Sequence, residues 1–75
     1  MERYKNLGGD SGVHAYEIGV DSITVKFGTG KVYLFTNRSA GRANIERMKA
    51  LALAGQGLNA FIKRNVNKDY ERIIK

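Results

Sequence analysis

The apolar residues of this chain change their spacing near residue 39, and that change restricts the fold to one that combines strands with helices. Ile23, Val25 and Phe27 alternate with polar residues, in the period of two that is typical of a half-buried strand. Beyond Ser39 the apolar residues recur every three or four positions, which is the period of an amphipathic helix. At 75 residues the chain makes one domain. The sequence therefore predicts an α+β fold, a small antiparallel sheet followed by two packed helices.

The first 12 residues are polar and rich in glycine, and they differ in this from the rest of the chain. We expect residues 1 to 12 to form a flexible segment, because closely spaced glycines favour loops over regular elements. Ordered structure should begin near Val13, and residues 13 to 75 should form the domain. Within it, a short strand is predicted over 13 to 18, followed by a hairpin whose strands cover 23 to 27 and 32 to 35.

Two turns compete at the tip of this hairpin, and they place its aromatic residues differently. A three-residue loop at 28 to 30 sets Val25 opposite Tyr33, so that Tyr33 and Phe35 both join the core. A two-residue turn shifts the pairing by one position and leaves both aromatic residues on the other face beside Lys26. In that second arrangement Tyr33 and Phe35 could stack on nucleic-acid bases. We favour the first, and the second stays open.

Two helices are predicted in the second half of the chain. The first has Ser39 as its N-cap and ends at the glycines of 55 to 57. The second covers 58 to 66, with Lys63 and Arg64 on the side opposite its apolar stripe. The apolar stripes of the two helices are Ile45, Met48, Leu51 and Ala52 in the first, and Leu58, Phe61, Ile62 and Val66 in the second.

The end of the chain, residues 67 to 75, carries Tyr70, Ile73 and Ile74. These residues could pin either a last helical turn or a short edge strand against the body, and both readings stay open. An apolar surface of so small a protein could also dock on a protein partner or on a second copy of the chain, which is the alternative function. The surfaces available for such docking are Val32 with Leu34, and the tail residues Ile73 and Ile74.

Residue types exclude several classes of function. The single histidine, His14, has no acidic neighbour at a spacing that suggests a general base, and the chain has no cysteine. We therefore expect no enzymatic activity, no catalytic residue, no metal and no cofactor. The absence of cysteine fits a reducing cytoplasm. No apolar stretch approaches the roughly 20 residues that span a bilayer, so we expect a protein that does not enter the membrane.

Charge is distributed unevenly along the chain. Residues 1 to 37 hold four Lys or Arg against four Asp or Glu, whereas residues 38 to 75 hold nine against three, which accounts for the whole net charge of +6. Such an excess favours RNA or DNA as the partner, bound through backbone phosphates with little regard to sequence. The predicted cations are Arg38, Arg47, Lys63, Arg64 and Lys68. Arg42 and Lys49 are weaker candidates, because they are spaced to pair with Glu46.

The segment from about 13 to 66 resembles the KTSC domain, a short module found at the C-terminus of some lysyl-tRNA synthetases and in small bacterial and phage proteins. The resemblance lies in ITVKF at 23 to 27, Gly30, YLF at 33 to 35, an amphipathic helix ending at Ala54-Gly55, and GLNAFI at 57 to 62. Phe35 stands where the family usually has a second tyrosine. The resemblance implies a compact α+β fold and a role in nucleic-acid binding, with no catalytic residues.

Overall fold

A computed structural model describes residues 1 to 9 and 12 to 75. In these residues five antiparallel strands form one sheet in chain order, and helices pack against one of its faces. The strands are β1 (Glu2–Arg3), β2 (Val13–Ile18), β3 (Ser22–Phe27), β4 (Val32–Thr36) and β5 (Arg72–Ile73). The helices are α1 (Asn37–Ala40), α2 (Arg42–Ala54) and α3 (Leu58–Phe61), which continues as a π-helical segment (Ile62–Val66). The predicted α+β class is confirmed.

The N-terminus belongs to the folded body. β1 pairs with β2, and Tyr4, directly after it, is only 3% exposed. The phenolic oxygen of Tyr4 accepts a hydrogen bond from the backbone amide of Leu58 at 3.2 Å, and so satisfies a donor at the start of α3 that has no partner within the helix. The prediction that order begins near Val13 is therefore wrong for β1 and Tyr4. Residues 10 and 11 of the predicted flexible segment lie outside the described residues.

The hairpin of β3 and β4 has the three-residue loop. Val25 lies opposite Tyr33, the amide of Gly30 donates to the carbonyl of Phe27 at 2.9 Å, and Gly30 has a φ of +94°. This left-handed position is the one that the loop requires of a glycine. Phe35 and Tyr33 consequently face the helices, Phe35 fully buried and Tyr33 half-buried. The alternative with both rings on the outer face is wrong.

The N-cap of the first helical region lies three residues before the predicted one. Thr36 caps α1: its hydroxyl accepts from the amide of Ser39 at 3.1 Å, and the hydroxyl of Ser39 accepts from the amide of Thr36 at 3.0 Å. Ser39 is thus the inner member of a reciprocal capping box and not the N-cap. Gly41, with a φ of +92°, separates α1 from α2. The predicted apolar stripe of α2 is confirmed, with Ile45, Met48 and Ala52 buried and Leu51 half-buried.

The second predicted helix is α3 with its π-helical continuation. Gly55, in the left-handed conformation with a φ of +78°, ends α2 as expected. Leu58, Ile62 and Val66 are buried at intervals of four. Four residues slightly exceed one α-turn, and the wider π-turn compensates for that excess, so the three side chains stay on the core side. Lys63 and the residue after it are exposed, as expected of positions outside the core stripe.

The tail forms an edge strand, which settles the choice that the sequence left open. In β5, Ile73 lies opposite Tyr33 and Arg72 opposite Leu34 of β4. The amide of Glu71 also donates to the carbonyl of Leu34 at 2.7 Å. The last residues of the chain are therefore held beside the hairpin, and Tyr70, just before β5, lines the surface described next.

Candidate functional site

A cleft of about 700 Å³ opens between the β3–β4 hairpin and the C-terminal helical segment, and we call it the lysine cleft. Phe35 and Ile62, both buried, lie at its base. The other side chains that line it come from the hairpin, from one side of the helical segment and from the turn after it: Phe27, Thr29, Lys31, Tyr33, Asn59, Lys63, Asn67, Lys68 and Tyr70.

Two local features of the sequence build the walls of this cleft. On the hairpin side, the loop that ends at Gly30 brings Lys31 to the rim. On the helical side, Asn59, Lys63 and Asn67 follow one another at intervals of four, each one position after a buried residue of the core stripe. The same turn geometry that keeps the core stripe aligned therefore aligns these three polar side chains along one wall.

The described side chains that line the lysine cleft include positive charges and no negative one. Lys31, Lys63 and Lys68 line it and are exposed, and no Asp or Glu of residues 1–9 and 12–75 lines it. None of the three lysines forms an ion pair with a carboxylate in those ranges either. Three ammonium groups around one concave surface attract an anion and repel cations.

Three half-buried aromatic rings contact one another above the buried ring of Phe35 in the same cleft. Tyr33 is central, with its ring centroid 5.4 Å from that of Phe27 and 4.9 Å from that of Tyr70. Both pairs meet edge to face, at interplanar angles of 84° and 85°. Such pairs contribute about 0.5 to 1.5 kcal/mol beyond the area they bury. All three rings are half-buried, so they are held in place by one another while part of each faces the cleft.

Two side-chain amides complete the lining. Asn59 and Asn67 make no side-chain hydrogen bond to any other residue in the described part of the chain. Each amide has two donor hydrogens and an acceptor oxygen to offer a ligand. In contrast, Asn65 is exposed on the same segment but outside the cleft, and its amide donates to the carbonyl of Phe61 at 3.2 Å.

The structure brings together only part of the predicted site. Lys63, Lys68 and Tyr33 all line the lysine cleft. Phe35, predicted as a possible stacking residue, is 1% exposed, and this burial prevents its ring from stacking on a ligand. Arg64 is exposed next to Lys63 but does not line the cleft.

The remaining predicted cations lie on the first two helices and do not line the cleft. Arg38 on α1, and Arg42 and Arg47 on α2, are exposed. Lys49 has structural partners, because its ammonium group donates to the carbonyl of Val20 at 2.9 Å and forms an ion pair with Glu46 at 3.2 Å. Of the candidates on these helices, Lys49 is the one least available to a ligand.

Sequence reasoning missed Lys31, Asn59, Asn67 and Tyr70 as members of this site. Lys31 belongs to the first half of the chain, whose net charge is zero, and the comparison of net charge between the two halves therefore overlooked it. The interval of four that joins Asn59, Lys63 and Asn67 was visible in the sequence and could have indicated a polar wall.

The described residues give no support for a metal site or a membrane-spanning helix. They contain no group of three or more His, Cys, Asp or Glu placed to hold a metal ion. Among the described helices none has the length and apolar character needed to cross a bilayer. His14 is exposed on β2 and does not line the lysine cleft.

Comparison with known proteins adds no assignment. No protein-family model, curated protein or solved structure matches this chain. The resemblance to the KTSC domain therefore stays a prediction carried by the residues that suggested it. The interpretation of the site depends on its own geometry and charge.

Proposed function

We propose that this chain is a small non-enzymatic binding module for nucleic acid and that the lysine cleft is its binding surface. One observation carries the proposal: three lysines and three half-buried aromatic rings share one cleft that no carboxylate of the described residues lines. Ammonium groups bind backbone phosphates, and aromatic rings stack on bases. The combination is typical of surfaces that bind nucleic-acid strands with little sequence preference.

The exposed arginines outside the cleft have a secondary role in this proposal. Arg38, Arg42, Arg47 and Arg64 add positive potential around the molecule without facing the strand in the cleft. Such charges raise the rate of encounter with a polyanion more than they raise the affinity of the final complex. Their effect should fade near physiological salt, where the screening length is about 8 Å.

A titration with two charge-matched double variants tests this assignment. Labelled single-stranded RNA, single-stranded DNA and duplex DNA are titrated with the parent, with Lys63→Gln/Lys68→Gln, and with Arg42→Gln/Arg47→Gln. Each double variant removes two positive charges, so both have a net charge of +4 in place of +6. We expect the cleft variant to lose about tenfold or more in affinity for single strands, and the α2 variant about threefold or less.

The outcome distinguishes binding at one site from attraction by the total charge of the protein. Equal losses in the two variants would show that total charge alone drives binding and would contradict the assignment to the cleft. Absence of binding by the parent even at low salt would remove nucleic acid as the partner.

The second candidate function is self-association or protein binding through the tail. Ile73 and Ile74 are 47% and 52% exposed at the edge of the sheet, where the backbone of β5 can pair with another strand. Val32, predicted as part of an alternative docking surface, is only 7% exposed and is unsuited to that role, and Leu34 is half-buried. Sedimentation of the parent and of Ile73→Lys at low and high salt tests this candidate, since an apolar interface responds little to salt.

A further inference from the structure

The shape of the lysine cleft restricts the form of nucleic acid that it can hold. Its volume of about 700 Å³ falls within the roughly 300 to 1,000 Å³ that is usual for small-ligand sites. A duplex is read by protein elements that protrude into its grooves, and its stacked, paired bases cannot enter a recess. A concave site of this size therefore suits an unpaired nucleotide.

The aromatic residues supply a surface for the base. The edge-to-face contacts of Tyr33 with Phe27 and Tyr70 fix the three rings before any ligand arrives. Ordering of flexible side chains is one of the main costs of binding, so rings already held in place stack at a small entropic cost. Every base has a flat face, and this surface does not by itself select one base over another.

The helical wall supplies groups for both the edge of the base and the phosphate. Asn59 and Asn67 flank Lys63 at intervals of four, so amides and an ammonium group alternate along the wall. Side-chain amides form two-point hydrogen bonds with base edges. The Watson–Crick edge is exposed only when the base is unpaired.

From these observations we infer that the lysine cleft binds one unpaired nucleotide of a single strand. The base lies inside the cleft, against Tyr33 and the amides of Asn59 and Asn67, and the flanking phosphates contact the lysines at the rim. This inference rests on the proposed function of the same cleft. It adds that contacts with the base, as well as contacts with the phosphates, hold the strand.

An abasic strand separates the two kinds of contact. Two single-stranded DNA oligonucleotides of equal length, one of oligo(dA) and one with the same sugar–phosphate backbone but no bases, are titrated at the same salt. Loss of stacking should weaken binding of the abasic strand by about 5- to 150-fold. Equal affinities would overturn the inference but leave the proposed function standing, provided that Lys63→Gln/Lys68→Gln weakens both strands. If neither strand binds, both proposals fail.

Nuclear magnetic resonance locates the base. Adenosine 5′-monophosphate and ribose 5-phosphate are titrated into ¹⁵N-labelled protein, and the side-chain amide signals of Asn59, Asn67 and Asn65 are followed. We expect the nucleotide, and not the sugar phosphate, to shift the signals of Asn59 and Asn67, while Asn65 stays unchanged as an internal control. Equal shifts with both compounds would overturn the base contact.

The same titrations distinguish a strand from a free nucleotide. Oligo(dA) should bind more tightly than adenosine 5′-monophosphate, because its neighbouring phosphates reach the remaining lysines. Equal affinities would contradict a strand as the ligand. A duplex that binds as tightly as the single strand of its own sequence would overturn the requirement for an unpaired base.

Variants in the cleft complete the test. Tyr33→Leu removes the ring and should lower affinity for oligo(dA) about 5-fold or more, whereas Tyr33→Phe should stay within about twofold. If Tyr33→Leu does not fold, two variants at exposed positions replace it, Asn67→Ala in the cleft and Asn65→Ala outside it. Only Asn67→Ala should lower the affinity for oligo(dA), and neither variant should alter the affinity for the abasic strand. An Asn67→Ala variant that binds oligo(dA) like the parent would contradict the base contact.

Discussion

Tyr33 and Tyr70 meet edge to face in the wall of the lysine cleft, with ring centroids 4.9 Å apart and planes at 85°. Tyr33 belongs to β4, and Tyr70 lies just before β5. The tail is further tied to the hairpin through Glu71, whose amide donates to the carbonyl of Leu34 and whose carboxylate accepts from the hydroxyl of Thr36 at 2.9 Å. The end of the chain is therefore part of the site, and damage to it should affect both stability and binding.

Replacement of Tyr70 measures this connection. Tyr70→Ala should destabilise the protein by about 2 kcal/mol, because it removes a half-buried ring and its contact with Tyr33. Tyr70→Phe keeps the ring and should change stability by less than about 0.5 kcal/mol. Chemical denaturation followed by circular dichroism gives both values. Similar losses in the two variants would assign the effect to the hydroxyl and contradict the ring contact.

A hydroxyl-deletion pair tests the anchoring of the N-terminus. Tyr4→Phe should cost about 1 to 2 kcal/mol, because it leaves the buried amide of Leu58 without its acceptor. Tyr16→Phe is the matched control, since Tyr16 is also buried but its hydroxyl has no hydrogen-bond partner in the described residues. Thermal and denaturant unfolding should show a loss for Tyr4→Phe alone. Equal behaviour of the two variants would contradict the role assigned to Tyr4.

Two glycines with positive φ should respond differently to alanine. Gly30→Ala should cost about 1 to 2 kcal/mol from backbone strain alone, because its added Cβ would meet no atom within 4 Å. At Gly55 the new Cβ would lie 2.6 Å from the Cβ of Lys5, and overpacking typically adds about 1 to 3 kcal/mol. The Gly55→Ala variant should therefore unfold at a lower denaturant concentration than the Gly30→Ala variant. The reverse order would show that the N-terminal segment does not lie against Gly55.

The capping box of α1 offers a fourth test. Thr36→Val should cost about 1 to 2 kcal/mol, because it removes the acceptor for the amide of Ser39 and the donor to Glu71. Thr24→Val is the control: Thr24 is half-buried in β3, and its hydroxyl makes no hydrogen bond within the described residues. Unfolding experiments that find no difference between the two variants would contradict the cap.

Local patterns in the sequence predicted the parts of the fold that depend on residues close together in the chain. The alternation in β3 and the glycine at position 30 favoured the hairpin register that the structure has, because a left-handed residue ends a three-residue loop, but a two-residue turn at Gly28 stayed open until the structure excluded it. The interval of Ile45 and Met48 predicted the buried side of α2. The N-cap was missed, because Ser39 replaces the usual glutamate of a capping box and its partnership with Thr36 was not recognised.

The parts that the sequence did not predict depend on contacts between distant residues. Tyr4 is buried where its hydroxyl meets the amide at the start of α3, 54 positions further along the chain. Similarly, Lys31 and Lys63 share a cleft only because the hairpin and the helical segment pack side by side. Neither contact produces a periodic pattern in the sequence. From the sequence, the net charge of the two halves of the chain was compared, and the binding surface was therefore assigned to the second half alone.

The salt dependence of single-stranded RNA binding tests the central claim most directly. Three lysine–phosphate contacts predict that the logarithm of the association constant falls with the logarithm of salt concentration at a slope of about −2. In Lys63→Gln/Lys68→Gln, where Lys31 alone remains in the cleft, the slope should fall to about −0.7, while Arg42→Gln/Arg47→Gln should keep the parent's slope. A slope that is unchanged in the cleft variant, or reduced equally in both, would contradict binding in the lysine cleft.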